Sequence, residues 1–260
     1  MKKITALLLM VLLVIGIVGC SSSGDGDEKK DTFTVGFDKN FPPMGFVGDD
    51  GEYTGFDLEL AAEAAKRLDK ELVLQPIAWD NKDKELAAGS VDCVWNGFTI
   101  NGREDDYTWT EPYMKNQQVF VVKADSEITT LADLAGKVVM VQTDSSAEAA
   151  LKDKPDLVDT FADFLTAADY NSALMDLEAG AVDAVAMDEI VANYQIEKRK
   201  ANFRVLEETL AAEEYGVGFL LGNVELRDQV QAVLEEMAAD GTLSRISTAW
   251  FGKDITTIGK

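Results

Sequence analysis

The chain has 260 residues, a formal net charge of −23, no histidine and two cysteines. No basic stripe exists to displace counterions from phosphates, so a nucleic-acid partner is excluded, and the charge reads as a solvated, self-repelling surface. The lack of histidine removes the usual general base and the usual zinc ligand, and neither a metal nor a cofactor is expected.

Lys2 and Lys3 precede an apolar run over residues 4–18. That is a charged n-region and an h-region of signal-peptide length, too short for a spanning helix. The run closes on Ile17-Val18-Gly19-Cys20. Small residues before a cysteine at this place resemble the bacterial lipoprotein box. The resemblance implies that residues 1–19 are removed and that Cys20 is lipidated, so that acyl chains hold the protein on a membrane without spanning it. An ordinary secretion signal with an incidental cysteine is the duller alternative. Residues 20–31, rich in Ser, Gly and charge, read as a flexible tether. With Cys20 acylated, Cys93 has no partner, and its apolar flanks suggest a buried, inert thiol.

The folded part, from residue 32, suits two modest lobes better than one core. Residues 33–37 alternate and read as a strand. A proline-containing loop follows, then a hairpin turn around Asp49, Asp50 and Gly51. Leu58, Ala61, Ala62, Ala65 and Leu68 fall on one helical face. Residues 71–77 read as a strand. Asp80 with Asp83 resembles a capping box that opens a short helix ended by Gly89. Residues 91–96 form the next strand. Strand, helix, strand, helix, strand implies a parallel α/β sheet.

A second such rhythm runs from residue 118. Strands are expected at 118–123, 137–142, 181–188 and 215–221. Helices are expected after Thr130, after Ser145, up to Gly180, and over 189–198. Val230, Val233, Leu234 and Met237 make a late amphipathic face, and residues 241–252 a last helical turn or two. "AAGSVDCVWNG" and "EAGAVDAVAMDE" echo each other: helix, Gly, Val-Asp, apolar strand, polar tip. Asp92 and Asp183, at the strand starts, read as structural, and Trp95 as core.

Ligands of open α/β sheets bind beyond the carboxyl ends of strands. Asp38, Trp79, Asn96, Gly97, Thr99, Ser145, Ser146 and Asp188 all collect at such ends. The pieces "VGFDKNFPPMGF", "GFDLELAAEAAKRL", "AAGSVDCVWNGFTINGRE", "LADLAGKVVMVQTDSSAEAAL", "LEAGAVDAVAMDE" and "EEYGVGFLL" together resemble the polar-amino-acid solute-binding proteins of ABC importers, the extracellular solute-binding family 3. The resemblance covers nearly all of residues 32–252. It implies an α/β, two-lobed periplasmic-binding-protein fold (type II), each lobe a mostly parallel sheet flanked by helices, with two hinge crossings. Placed here, the crossings fall at residues 113–117 and 211–215. Lobe 1 is then 32–113 plus 216–260, and lobe 2 is 118–210.

The resemblance further implies that Arg103 grips the ligand's α-carboxylate, helped by Thr99 and the N–H groups around Asn96 and Gly97. Ser145 and Ser146 would offer N–H groups to the same anion, Asp188 would take the α-ammonium, Phe41 and Trp79 would flank the side chain, and Asp38 would read its far end. A guanidinium can make two parallel bonds to a carboxylate. Each residue also has a plain structural reading: a surface ion pair for Arg103, helix caps for Ser145, Ser146 and Asp188, core aromatics for Phe41 and Trp79. The segment Thr99-Ile100-Asn101-Gly102-Arg103 is one residue shorter than in most such proteins, with Gly102 placed to absorb the change. Asp144 stands where glycine is common. Met187 stands where some relatives read the ligand, suggesting apolar or sulfur contact.

The function implied is a lipid-anchored, monomeric receptor that delivers an L-amino acid (cystine, glutamine or another polar or sulfur-containing one) to a membrane permease. Two rivals remain: an enzyme resembling cyclohexadienyl dehydratases, which would need an acid such as Asp38 at the reacting bond, and a sensory binding module.

Overall fold

A computed structural model describes residues 31–260. The signal sequence, Cys20 and nearly all of the tether lie outside the described residues.

The chain opens with β1 (Thr32–Phe37), then a small antiparallel sheet of β2 (Asn40–Phe41), β3 (Gly45–Val47) and β4 (Tyr53–Thr54). Helix α1 (Phe56–Arg67), β5 (Glu71–Pro76), α2 (Lys82–Ala88) and β6 (Cys93–Thr99) complete the first rhythm. The middle of the chain forms β7 (Tyr107–Trp109), β8 (Met114–Lys123), β9 (Val138–Gln142), α3 (Ser146–Lys152), α4 (Pro155–Val158), β10 (Asp163–Ala167), α5 (Tyr170–Ala179), β11 (Ala184–Asp188) and α6 (Glu189–Arg199). Strands β12 (Phe203–Val205) and β13 (Ala211–Leu220) precede α7 (Val224–Ala239) and α8 (Thr242–Phe251).

The large sheet runs β10-β9-β11-β8-β13-β6-β1-β5, with β12 beside β8 and β7 beside β13. At one end β6, β1 and β5 are parallel; at the other β10, β9 and β11 are parallel. All the antiparallel pairs of this sheet involve β8 or β13. These two strands pair with each other from Gln118↔Ala211 to Met114↔Tyr215. Beyond that stretch β8 pairs with β11 and β12, whereas β13 pairs with β6 and β7.

The sequence echo has a structural cause. Asp92 Oδ2 accepts the Thr34 N–H at 2.7 Å, and Asp183 Oδ2 accepts the Val138 N–H at 2.8 Å. Each aspartate bonds the edge of the parallel neighbour where the strand begins, so an otherwise open N–H is satisfied. Gly89 and Gly180 end the preceding helices in the left-handed region. Trp95 is fully buried, as are Val230, Leu234 and Met237 of α7.

Several expectations are corrected. On α1, Ala62 is exposed, and Ala64 takes its place in the core beside Leu60 and Ala61. The buried arc is centred one position away because Phe56 and Leu60 also pack inward. The proline loop contains the short strands β2 and β3. Asp80 does not cap α2: a 3-10 turn over Trp79–Asn81 leads into the helix, no side chain caps it, and Asp83 instead accepts a hydrogen bond from the Tyr107 hydroxyl. Strand β10 was not anticipated; none of its residues is fully buried, Asp163 and Thr166 are exposed, and its apolar alternation is short. Asn96, Gly97 and Thr99 lie within β6, not after it, because β13 continues the pairing through Thr99.

Candidate ligand-binding site

Strand β6 carries polar residues into the interior, and each finds a partner there. The Asn96 side-chain oxygen accepts the Asp38 N–H at 3.0 Å, while its Nδ2 is buried without a hydrogen-bond partner. Gly97 has φ +57, a conformation that favours glycine. Its N–H, expected to serve the ligand, donates instead to Asp57 Oδ2 at 2.6 Å. Asp57 is fully buried and also accepts the Tyr113 hydroxyl at 2.9 Å, so it takes the nearest amide to offset its own desolvation. Thr99 Oγ1 donates to Glu213 Oε2 at 2.9 Å.

After β6 the chain turns, with Arg103 N–H bonded to the Ile100 carbonyl at 2.8 Å and Gly102 at φ +79. This turn brings the Arg103 side chain back toward β6. Its guanidinium lies 5.5 Å from the Phe98 ring centre and donates to the Asp144 carbonyl at 3.1 Å.

The facing wall comes from β9 and α3. Ser145 is the N-cap of α3, its Oγ accepting the Glu148 N–H at 3.1 Å. The following amides, of Ser146 and Ala147, have no carbonyl one turn earlier to bond. Ser146 Oγ accepts from Gln118 Nε2 at 2.9 Å. Asp188, at the end of β11, occupies the N-cap position of α6 but caps nothing with its side chain. Its Oδ1 accepts from the Tyr215 hydroxyl at 2.5 Å and Asn116 Nδ2 at 3.1 Å.

The structure brings nine of the ten candidate residues to one cavity: Phe41, Trp79, Asn96, Gly97, Thr99, Arg103, Ser145, Ser146 and Asp188, joined by Gln142. The space between them holds only ≈ 10 Å³ for a water-sized sphere, far below the volume of a small-molecule site, so the lining residues meet with almost no room between them. Asp38 is the exception. Its carboxylate is turned aside, accepting the Asn40 N–H at 2.8 Å and Gln142 Nε2 at 2.7 Å, and burial raises its pKa to about 6. Met187 does not face the cavity either; it is wholly buried in the core beneath β11, because alternate side chains of a strand point to opposite faces.

The two walls touch. Trp79 Nε1–H donates to the Asp144 carbonyl at 3.2 Å, Lys82 pairs with the Asp144 carboxylate, and Gln142 reaches Asp38. The cavity is therefore closed over by its own side chains. A larger recess, ≈ 630 Å³, lies elsewhere between Met114, Glu189, Tyr194 and Trp250, and none of the candidate residues lines it.

Sequence reasoning missed the polar residues of β8 and β13. Glu213 Oε1 accepts from Asn116 Nδ2 at 2.6 Å and Gln118 Nε2 at 2.9 Å. Burial and the nearby Glu213 charge push the Asp188 carboxyl well above its usual range. One signal was present: the polar run Lys115-Asn116-Gln117-Gln118 leads directly into the apolar stretch of β8, and polar groups carried into a buried strand need partners. Chemically, one cavity meets a guanidinium, helix-start amides and an acidic cluster, an arrangement that complements a small zwitterion.

Residues 33–253 match the model of the bacterial extracellular solute-binding proteins, family 3. The chain belongs to that family. This family 3 chain is 33% identical over 259 residues to the L-cystine-binding protein TcyJ of Escherichia coli (strain K12), covering 96% of each. A substrate-binding protein of an ABC uptake transporter from Streptococcus pneumoniae, solved with bound histidine, superposes with a TM-score of 0.84 at 34% identity, covering 87% of this chain and 94% of that one. An ancestral arginine-binding protein bound to arginine gives 0.81 and 34%, covering 86% and 100%. The fold is thus the α/β periplasmic-binding-protein fold of amino-acid-binding proteins, and the chain is a solute-binding protein, not an enzyme.

Proposed function

We propose that this family 3 protein binds one L-amino acid between two lobes and delivers it to the permease of an ABC importer. The observation that carries the reading is that Arg103 and Asp188, far apart in sequence and on different ends of the sheet, line the same cavity. Arg103 and the amides opening α3 take the carboxylate; Asp188 takes the ammonium; Phe41 and Trp79 flank the side chain. The relatives named above bind cystine, histidine or arginine, and a side chain of that length needs the two walls to part, with Phe41, Trp79 and Gln142 then bordering it.

Lobe 1 is residues 32–113 plus 216–260, lobe 2 is 118–210, and the crossings at 113–117 and 211–215 form the hinge. The paired stretch of β8 and β13 supports this division, since it joins the two parallel ends of the sheet. Closure brings both poles onto the ligand and expels water, and the ligand favours the closed form by its differential affinity. The closed form then docks on the permease.

Thermal shifts of the full chain, refolded from denaturant to strip bound ligand, are measured against all amino acids and cystine. Stabilisation by one or a few L-amino acids is expected, lost in Arg103→Ala and Asp188→Ala. Normal binding by those variants places the site elsewhere. We further propose that Cys20 carries acyl chains that hold the protein on the outer face of the cell membrane. Palmitate labelling that survives Cys20→Ala refutes this.

A further inference from the structure

Asp188 and Glu213 are both almost fully buried, and both accept from the same amide nitrogen, Asn116 Nδ2, at 3.1 and 2.6 Å. Their remaining partners are neutral donors: the Tyr215 hydroxyl for Asp188, and Gln118 Nε2 and Thr99 Oγ1 for Glu213. Among the described residues no lysine or arginine forms an ion pair with either. The other titratable groups that act on the pair are Tyr215 on β13 and Tyr170 on α5, neither of them cationic. Arg103, the cation lining the same cavity, is engaged with the Thr99 and Asp144 carbonyls. Two adjoining buried carboxylates with no counterion cannot both ionise without a large desolvation and repulsion cost.

We propose that Glu213 is a second acidic member of the ammonium pole, and that Asp188 and Glu213 hold one proton between them until the ligand's ammonium replaces it. This rests on the reading of the site given above. In the empty site the pair carries a single negative charge and one shared proton. The arriving ammonium supplies the positive charge that the proton had supplied, both carboxylates ionise, and the proton leaves to solvent. Uptake of one cation and loss of one proton balance. The pole then demands a full positive charge, because a neutral amide nitrogen cannot displace a proton. Glu213 positions and charges the pole from the proposed hinge, so occupancy of the ligand site is felt where the lobes meet.

Two measurements on the full chain decide the matter. The first needs no ligand. Carboxyl-carbon NMR of the empty protein is expected to show a titration step far above the ordinary carboxylate range, moved down in Glu213→Gln and absent in Asp188→Asn. Ordinary titration of Asp188 in the wild type overturns the proposal. The second is calorimetry with L-cystine, L-arginine and L-histidine in buffers of different ionisation enthalpy. The wild type is expected to release about one proton per ligand bound, and its affinity to fall about tenfold per pH unit below the pair's titration. Glu213→Gln, which keeps the shape and an acceptor oxygen for Asn116 and Gln118 but turns the Thr99 bond into one that Thr99 accepts, is expected to bind with little proton release and a flat pH profile; release equal to the wild type overturns the proposal. Failure of all three amino acids to bind refutes the amino-acid reading, while the NMR titration still decides the shared proton.

Discussion

The buried ammonium of Lys82 meets the half-exposed carboxylate of Asp144 across the cleft. Lys82 also sits 5.2 Å from the centre of the Trp79 ring, whose N–H reaches the Asp144 carbonyl. Asp144 adopts φ +59, so the residue that replaces a commonplace glycine keeps the backbone shape that glycine favours. Its extra negative charge near Arg103 is neutralised by Lys82. Removing Asp144 alone strands a buried cation, which costs more than losing the pair. Asp144→Ala is expected to speed ligand dissociation roughly tenfold, about what a partly exposed pair plus that penalty provides. Lys82→Met should have a smaller effect, since it removes the stranded charge as well. Stopped-flow dissociation rates equal to the wild type in Asp144→Ala would show that the pair does not hold the cleft shut.

Gly97 is constrained twice. Its φ is +57, and a Cβ there would lie 2.9 Å from Phe41 Cε1 and 3.2 Å from Tyr215 Cε2. Gly97→Ala is expected to cost about 1–3 kcal/mol from the backbone strain alone, with lost affinity because Phe41 lines the cavity. Adding Phe41→Ala should restore part of the stability and none of the affinity. Denaturant titration of the single and double variants checks the coupling.

Asp57 gives the fold a pH dependence opposite to that of a salt-bridged carboxylate. Burial raises its pKa from 3.8 to about 7, against the bonds from Gly97 and Tyr113 that lower it. Between those two values the folded state binds more protons than the unfolded one. This contribution is therefore greatest at the acid end, and stability falls as pH rises through the window. Asp57→Asn is expected to flatten that part of the profile. The wild type should lose on the order of a few kcal/mol relative to the variant between pH 4 and pH 7. Unfolding free energies that change in parallel for the two proteins contradict the assignment.

Cys93 lies wholly inside the sheet between β1 and β13, and burial raises its thiol pKa further. The thiolate is the reactive species. In a chain starting at residue 27, thiol reagents should leave the native protein unmodified and label one cysteine on denaturation. Rapid labelling of the native protein would mean that this strand opens easily.

Much of the architecture was open to reading from the chain alone. Helix α7 was visible because its apolar residues repeat at helical spacing, and β11 because a continuous apolar run ends on one charge. Asp92 and Asp183 stood out as structural because both begin a strand after the same Val. The faces of α1 and the start of α2 were read less well. There the burial depends on which neighbour the helix meets, as with Ala62 and Ala64, and capping signals compete with tertiary partners, as with Asp83 and Tyr107.

The role of Arg103 rested on the family resemblance, but residue types and local periodicity by themselves determined the main elements, the two α/β rhythms and the polar residues at strand ends. They could do so because a strand's two-residue period and a helix's 3.6-residue period are properties of the local backbone. Only the tertiary structure decided that Asp38 pairs with Gln142 away from the cavity, that Asp57 claims the Gly97 amide, that Lys82 answers Asp144, and that Glu213 joins Asp188. Each of those pairings spans a long stretch of chain, and its energy comes from shared burial, which exists only once the distant strands have met.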